Sequence, residues 1–186
     1  MKNKNFIFNV LIMSFIFGFV SCGDSAPPVF EKGKLMGDYL GNCTVSLGSA
    51  SEVVSNFPAE FRQKDAQNLY LSIGDASSYE SIGISTIKTA SAFKDYGSYA
   101  GFVLESMNVD FGIDQIPSFI KNNISLTWDM GSATLKLNTD SNTPPKYTVA
   151  SKNLTFTYTG VVEITGKNVN EKYSSPVTYK FSLNKQ

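Results

Sequence analysis

Leu154-Thr155-Phe156-Thr157-Tyr158-Thr159-Gly160-Val161-Val162-Glu163-Ile164 places an apolar or small residue at every even number from 154 to 164. A period of two marks a strand with one buried face, and this one is long. Gly160 in its middle predicts a bend or bulge that lets the strand curve. After a turn over residues 166–175, Val177, Tyr179, Phe181 and Leu183 alternate in the same way. Upstream, Ala133, Leu135 and Leu137 alternate, residues 138–145 read as a polar, proline-bearing loop, and Tyr147 and Val149 mark a short strand. Strand follows strand with no crossover helix, which predicts antiparallel pairing.

The same period places a first strand over residues 34–47, with Tyr39, Gly41, Cys43, Val45 and Leu47 on one face. Leu69, Leu71 and Ile73 form another, and so do Ile82, Ile84 and Ile87. Met107, Val109, Phe111 and Ile113 follow, then Ile124, Leu126 and Trp128 before a turn at Met130-Gly131. One helical turn is expected after Pro117. Two stretches break the period. Over residues 52–67, Val53, Val54, Phe57 and Phe61 lie at spacings of three and four, which predicts a short helix or ordered loop interrupted at Pro58. Over residues 89–101, Phe93, Tyr96 and Tyr99 lie three apart, but Gly97 and Gly101 would each cost a helix about 1 kcal/mol relative to alanine. A loop with a helical turn is expected there. The fold class is mainly β: an antiparallel meander closing into a barrel, with one or two short helices. A two-sheet β-sandwich is the alternative.

The N-terminal residues carry an address. Lys2 and Lys4 precede an apolar run from Phe6 to Val20, shorter than the ~20 residues a spanning helix needs. Residues 1–21 therefore read as a signal peptide. Val20-Ser21-Cys22 resembles a bacterial lipobox, with Phe19 where leucine is usual. That resemblance implies cleavage before Cys22 and a diacylglyceryl group on its sulfur, a stable membrane anchor once further acylated. Residues 22–33, with Pro27-Pro28, would be a flexible tether, and residues 34–186 a single domain. The expected location is the bacterial cell envelope, at the outer membrane.

Gly37-Asp38-Tyr39 resembles the Gly-x-Trp start of lipocalins, with tyrosine in place of tryptophan. From Gly33 onward the chain resembles the calycin-like lipoproteins of Bacteroidetes, whose function is largely unknown. The Thr-Asp-Tyr type turn and the base-closing arginine of lipocalins are missing from the sequence. The likeness is one of architecture and implies no ligand.

Composition removes several chemistries. Sixteen basic residues stand against sixteen acidic ones with no histidine, and Arg62 is the only arginine, so the basic footprint of a nucleic-acid binder is missing. Without histidine, and with Cys43 as the only thiol besides Cys22, the common zinc, copper and haem sites are not expected, nor is a Ser-His-Asp triad. Cys43 lies in an alternating stretch and reads as a buried structural residue. Ser118 and Lys121 have the spacing of a Ser-x-x-Lys motif without its context. Asp129, Glu163 and Glu105 are candidates for paired-carboxylate chemistry with nothing in the sequence to join them. Asp110 and Asp114 are the nearest approach to a calcium loop. No cofactor and no catalytic activity are expected.

The remaining resource is aromatic: 14 Phe, 9 Tyr and 1 Trp. Tyr39, Trp128, Tyr147, Phe156, Tyr158 and Tyr179 fall in phase with their apolar neighbours. They either line a pocket for an apolar small molecule or glycan, or fill the core. Tyr96, Tyr99 and Phe102 are candidates for a mouth or a partner surface. The expected function is a non-enzymatic, lipid-anchored binding module. The alternative is an accessory lipoprotein with a filled barrel that binds an envelope protein.

Overall fold

The computed structural model describes residues 30–168 and 170–186. The expected signal peptide, Cys22 and the tether up to residue 29 lie outside them. The described chain is mainly β. Its elements are β1 (Gly37–Leu47), β2 (Ala50–Gln63), β3 (Leu69–Ile73), α1 (Ala76–Ile82), β4 (Thr86–Asp95), β5 (Tyr99–Leu104), β6 (Met107–Gly112), α2 (Ser118–Asn123), β7 (Met130–Thr139), β8 (Lys146–Thr148), β9 (Asn153–Gly166) and β10 (Lys172–Lys185). Every pairing is antiparallel. The sheet order is β10-β1-β2-β3-β4-β5-β8-β9-β7-β6, and β9 also pairs with β10. Eight strands therefore close into a ring, with β7 and β6 branching from β9.

The long alternating stretch is the seam of that ring. One edge of β9 is held by β10 in unbroken register from Thr165↔Lys172 to Asn153↔Asn184. The other edge is divided: residues 153–155 pair with β8, and residues 158–166 pair with β7. Gly160 causes no bulge, since register is continuous through it on both sides. Its role is close approach. A Cβ there would lie 2.9 Å from the carbonyl carbon of Lys136 and 3.0 Å from Leu137 Cα, and closer still to the Lys136 oxygen.

Two bulges explain the stretches that read as helix or loop. Residues 52–67 are not helical: β2 runs through Pro58 to Gln63. The register slips at Gly41/Asn42, where Asn56 is the extra residue with φ of 56°. The slip moves the inward phase from Val54 to Phe57, so two strand segments out of phase imitate a helical spacing of three. Residues 89–101 are a hairpin, not a loop. β4 slips against β5 between Ser91 and Lys94, and Ala92 takes φ of 52°. Ala90 and Phe93 thus both face inward.

Three further expectations change. Ile82 ends a helix rather than starting a strand, because Asp75 caps α1 by accepting the Ser78 N–H at 2.9 Å and Gly83 closes it. That backbone hydrogen bond, and then the one donated by the Ser78 hydroxyl at 2.9 Å, hold the Asp75 carboxyl below its ordinary range. Ile87 belongs to β4 and points outward, 61 % exposed. Residues 124–129 form no strand. The Asp129 carbonyl accepts the Lys167 N–H and its carboxylate pairs with Lys167 Nζ at 2.8 Å, so this segment runs to the turn after β9. Met130 and Gly131 consequently begin β7 instead of turning. Residues 32–34 form a 3-10 turn ahead of β1, and Phe30, inside the expected tether, is 2 % exposed against Tyr147.

Two chains of touching rings cross the interior. Phe57, Phe181, Phe156 and Tyr158 form one. Phe30, Tyr147, Tyr39, Phe61, Phe102 and Phe93 form the other. Their centroid spacings of 4.3–6.4 Å are those of favourable aromatic packing. Cys43 is buried among them as a free thiol, and burial raises its pKa. It stays protonated and is a poor nucleophile.

Candidate functional site

The divided edge of β9 creates the site. On this edge no strand lies alongside Phe156 and Thr157, because β7 ends at Thr139, opposite Tyr158, and β8 begins at Lys146, opposite Thr155. On the facing side β5 pairs with β8 only over residues 99–101, leaving residues 102–104 without a strand partner there. A window thus opens in the wall between β5 and β9. Residues 140–145 cross it: the Asp140 N–H donates to the Thr157 carbonyl at 2.9 Å, and the Phe102 N–H donates to the Pro145 carbonyl at 3.2 Å. At its far side the Tyr158 hydroxyl donates to the Glu105 carbonyl at 2.7 Å. Backbone groups that would otherwise lose their ladder partners are in this way satisfied. Proline at 144 and 145 has a fixed φ, which suits a segment that must hold its shape across a gap.

The window holds a half-open pocket of about 770 Å³. Its floor is Phe102, Phe156 and Phe181, with Phe156 and Phe181 stacked at 4.3 Å and 15°. These floor rings are only 2–5 % exposed. The outer wall is the tip of the β4–β5 hairpin. Gly97, with φ of 79°, turns the chain so that Tyr96 and Tyr99 stack at 4.8 Å and 15°. Tyr96 is 48 % exposed, and its ring covers Gly101. Lys94 and Lys146, both exposed, stand on either side of Gly101 in one cross-strand row. Asn142, Thr143, Thr155 and Thr157 add hydrogen-bonding groups. The arrangement offers a stacking face, a polar rim and positive charge around a shallow aromatic bottom.

Of the six aromatic residues expected to line a ligand, the pocket gathers Phe156 alone. Tyr39 and Tyr179 are fully buried and donate their hydroxyls to the carbonyls of Leu35 and Ile82, each at 2.7 Å. Burial raises the pKa of both, as it does for Tyr158, where the Glu105 charge adds to the effect. Tyr147 packs edge-on to Tyr39, and burial raises its pKa too. Trp128 lies in the segment before β7, beside Gly166. Tyr39, Tyr158 and Tyr179 work as packing, their hydroxyl protons committed to backbone carbonyls. Tyr96, Tyr99 and Phe102 do come together at the mouth. Phe181, another in-phase strand aromatic, also lines it, and Lys94, Gly101 and Lys146, which were not singled out, complete the site. The Pro144-Pro145 pair after a polar loop was the one local signal that pointed there.

The carboxylates stay apart in function. Asp129 pairs with Lys167, which holds its carboxyl below the ordinary range. Glu163 pairs with Lys136 at 2.6 Å. Glu105 accepts the Thr89 N–H at 2.9 Å, and that bond lowers its pKa. Asp110 accepts the Thr134 hydroxyl at 2.6 Å. Ser118 Oγ donates to the Ser81 carbonyl. Among the described residues, no three His, Cys, Asp or Glu side chains group as metal ligands, and no helix is long and apolar enough to cross a membrane. No protein-family model matches the chain, and neither does any curated protein or solved structure.

Proposed function

We propose that this protein is a non-enzymatic binding module of the bacterial cell envelope, a calycin-like barrel anchored by lipid on Cys22, that takes a small molecule or glycan in its side window. One observation carries the reading: the pocket of about 770 Å³ where β9 changes partners. That volume lies within the ordinary range of ligand sites, roughly 300–1,000 Å³. The ligand seat differs from that of a hollow barrel, because the interior is occupied by rings and the opening lies in the wall. The anchor rests on the lipobox resemblance of Val20-Ser21-Cys22.

Filling the window tests the seat. Thr155 faces outward from β9 opposite Lys146 and lines the pocket. Thr155→Trp is expected to remove the ligand mass that native mass spectrometry detects on the gently purified protein, with the melting temperature changed by less than about 4 °C. An unchanged ligand mass in this variant would place the binding site elsewhere. For the anchor, Cys22→Ser is expected to move the protein from the membrane fraction to the soluble fraction, since the acyl chains supply most of the attachment free energy. Retention in membranes would exclude lipidation as the cause.

The packed interior also favours a second reading, an accessory lipoprotein that binds an envelope protein through its outer surface. It would give a ligand-free mass in every preparation, and a cross-linked protein partner in intact cells.

A further inference from the structure

Resting on the window as the binding site, we infer that its ligand is an anionic glycan, with carboxylate or sulfate groups held between Lys94 and Lys146 and a sugar ring on the Tyr96–Tyr99 pair. The charge argument comes first. The residues lining the pocket include Lys94 and Lys146 and no Asp or Glu. Neither lysine belongs to a salt bridge among the described residues, where four other basic side chains do. The carboxylates nearest in sequence are held by hydrogen bonds within their own loops. Asp95 accepts the Gly97 N–H at 2.8 Å, and Asp140 accepts the Asn142 N–H at 2.9 Å and the Thr143 hydroxyl at 2.8 Å.

The spacing fits a chelating grip. Lys94 pairs with Gly101, and Gly101 pairs with Lys146, so the two lysines share one face and flank the Tyr96 ring that lies over the glycine between them. Two strand spacings separate their Cα atoms by about 10 Å. Their flexible stems can bring both ammonium groups onto one anionic group, or onto neighbouring groups of one ring.

The aromatic geometry favours a sugar over an acyl chain. Stacked tyrosines half-open to solvent present a flat apolar face with polar edges, which suits the C–H face of a pyranose. The adjoining Thr155 and Thr157 side chains can meet ring hydroxyls, while the Thr143 hydroxyl is committed to Asp140. A fatty acid needs deep enclosure of its chain, and floor rings that are 2–5 % exposed cannot provide it.

The test uses the purified full-length protein in detergent and four probes at low ionic strength: tetragalacturonate, its methyl-esterified neutral form, a sulfated galactose tetramer, and oleate. The expected result is calorimetric binding of at least one acidic tetramer, weakened at least about tenfold by esterification or by 0.5 M salt. Lys94→Gln with Lys146→Gln should weaken it to the same degree, while Thr155→Trp abolishes it. If the neutral tetramer or oleate binds as well as the acidic tetramers, or the double variant binds like the wild type, the charge inference is overturned. The window reading survives that result provided Thr155→Trp still blocks binding. If no probe binds, or Thr155→Trp leaves binding intact, the anionic-glycan inference falls together with the seat on which it rests.

Discussion

Gly160→Ala is expected to destabilise the protein by about 3 kcal/mol, a fall of roughly 6–12 °C in melting temperature for a domain of this size. The general rule points the other way. Gly160 is not among the residues with positive φ, and alanine at a backbone-compatible site normally adds about 0.4–1 kcal/mol by restricting the unfolded chain. Here the added methyl would meet Lys136 and Leu137 of β7, 2.9 Å from a backbone carbonyl carbon and 3.0 Å from a Cα. Backbone cannot swing aside as the end of a long side chain can. β7 must draw away from β9, and β6 reaches the rest of the sheet only through β7. The whole branch is therefore loosened by one methyl group. Gly33→Ala is the control, since a Cβ there meets nothing within 4 Å. Urea titration of both variants settles the sign. A Gly160→Ala protein as stable as the wild type would mean that β7 does not lie as close to β9 as the pairing requires.

The same residue shows what the sequence could and could not convey. Alternation along Leu154 to Ile164 made β9 legible, because burial on one face leaves a period of two. Gly160 was legible as special, yet its reason lay in Lys136, a residue brought beside it only by folding. The bulges at Asn56 and Ala92 defeated the period for a related cause. Each inserts one residue and moves the inward phase by one, which leaves the spacing of three at Val54–Phe57, while the spacing of three at Phe93, Tyr96 and Tyr99 joins one inward ring to two rings stacked at the hairpin tip. α1 was readable in principle, with Asp75 before it and Gly83 after it as caps, but Ile82 and Ile84 imitated a strand. The pocket was the least legible feature. It exists because β7 ends opposite Tyr158 while β8, three residues long, begins opposite Thr155. No local pattern encodes where two strands stop along a third. Lys94 and Lys146, more than fifty positions apart in the chain, become neighbours only through Gly101.

Tyr179 supplies the strongest test of the packed interior. Tyr179→Ala is expected to cost about 3–5 kcal/mol, the range for deleting a large buried ring. Tyr179→Phe, which keeps the ring and leaves the Ile82 carbonyl without its donor, should cost about 1–2 kcal/mol. A hollow ring of strands open to solvent or ligand would reverse the emphasis: truncation would enlarge an existing cavity at little cost. The interior tyrosines also predict how stability depends on pH. Burial raises the folded-state pKa of Tyr39, Tyr158 and Tyr179 above the unfolded value of about 10. A raised folded pKa means that the unfolded chain releases these protons first. The stabilisation is fully present below pH ~10 and is lost as the pH climbs above it. Wild-type protein should therefore unfold more readily in denaturant at pH ~11 than at pH ~8, and Tyr179→Phe should be less sensitive to that change because one proton has been removed from the linkage. Ultraviolet titration of tyrosinate supplies the direct observation. The difference between wild type and Tyr179→Phe isolates one buried phenol: a Tyr179 contribution that appears without unfolding would place it in contact with water, whereas one that appears only with unfolding fits a ring sealed inside the strands.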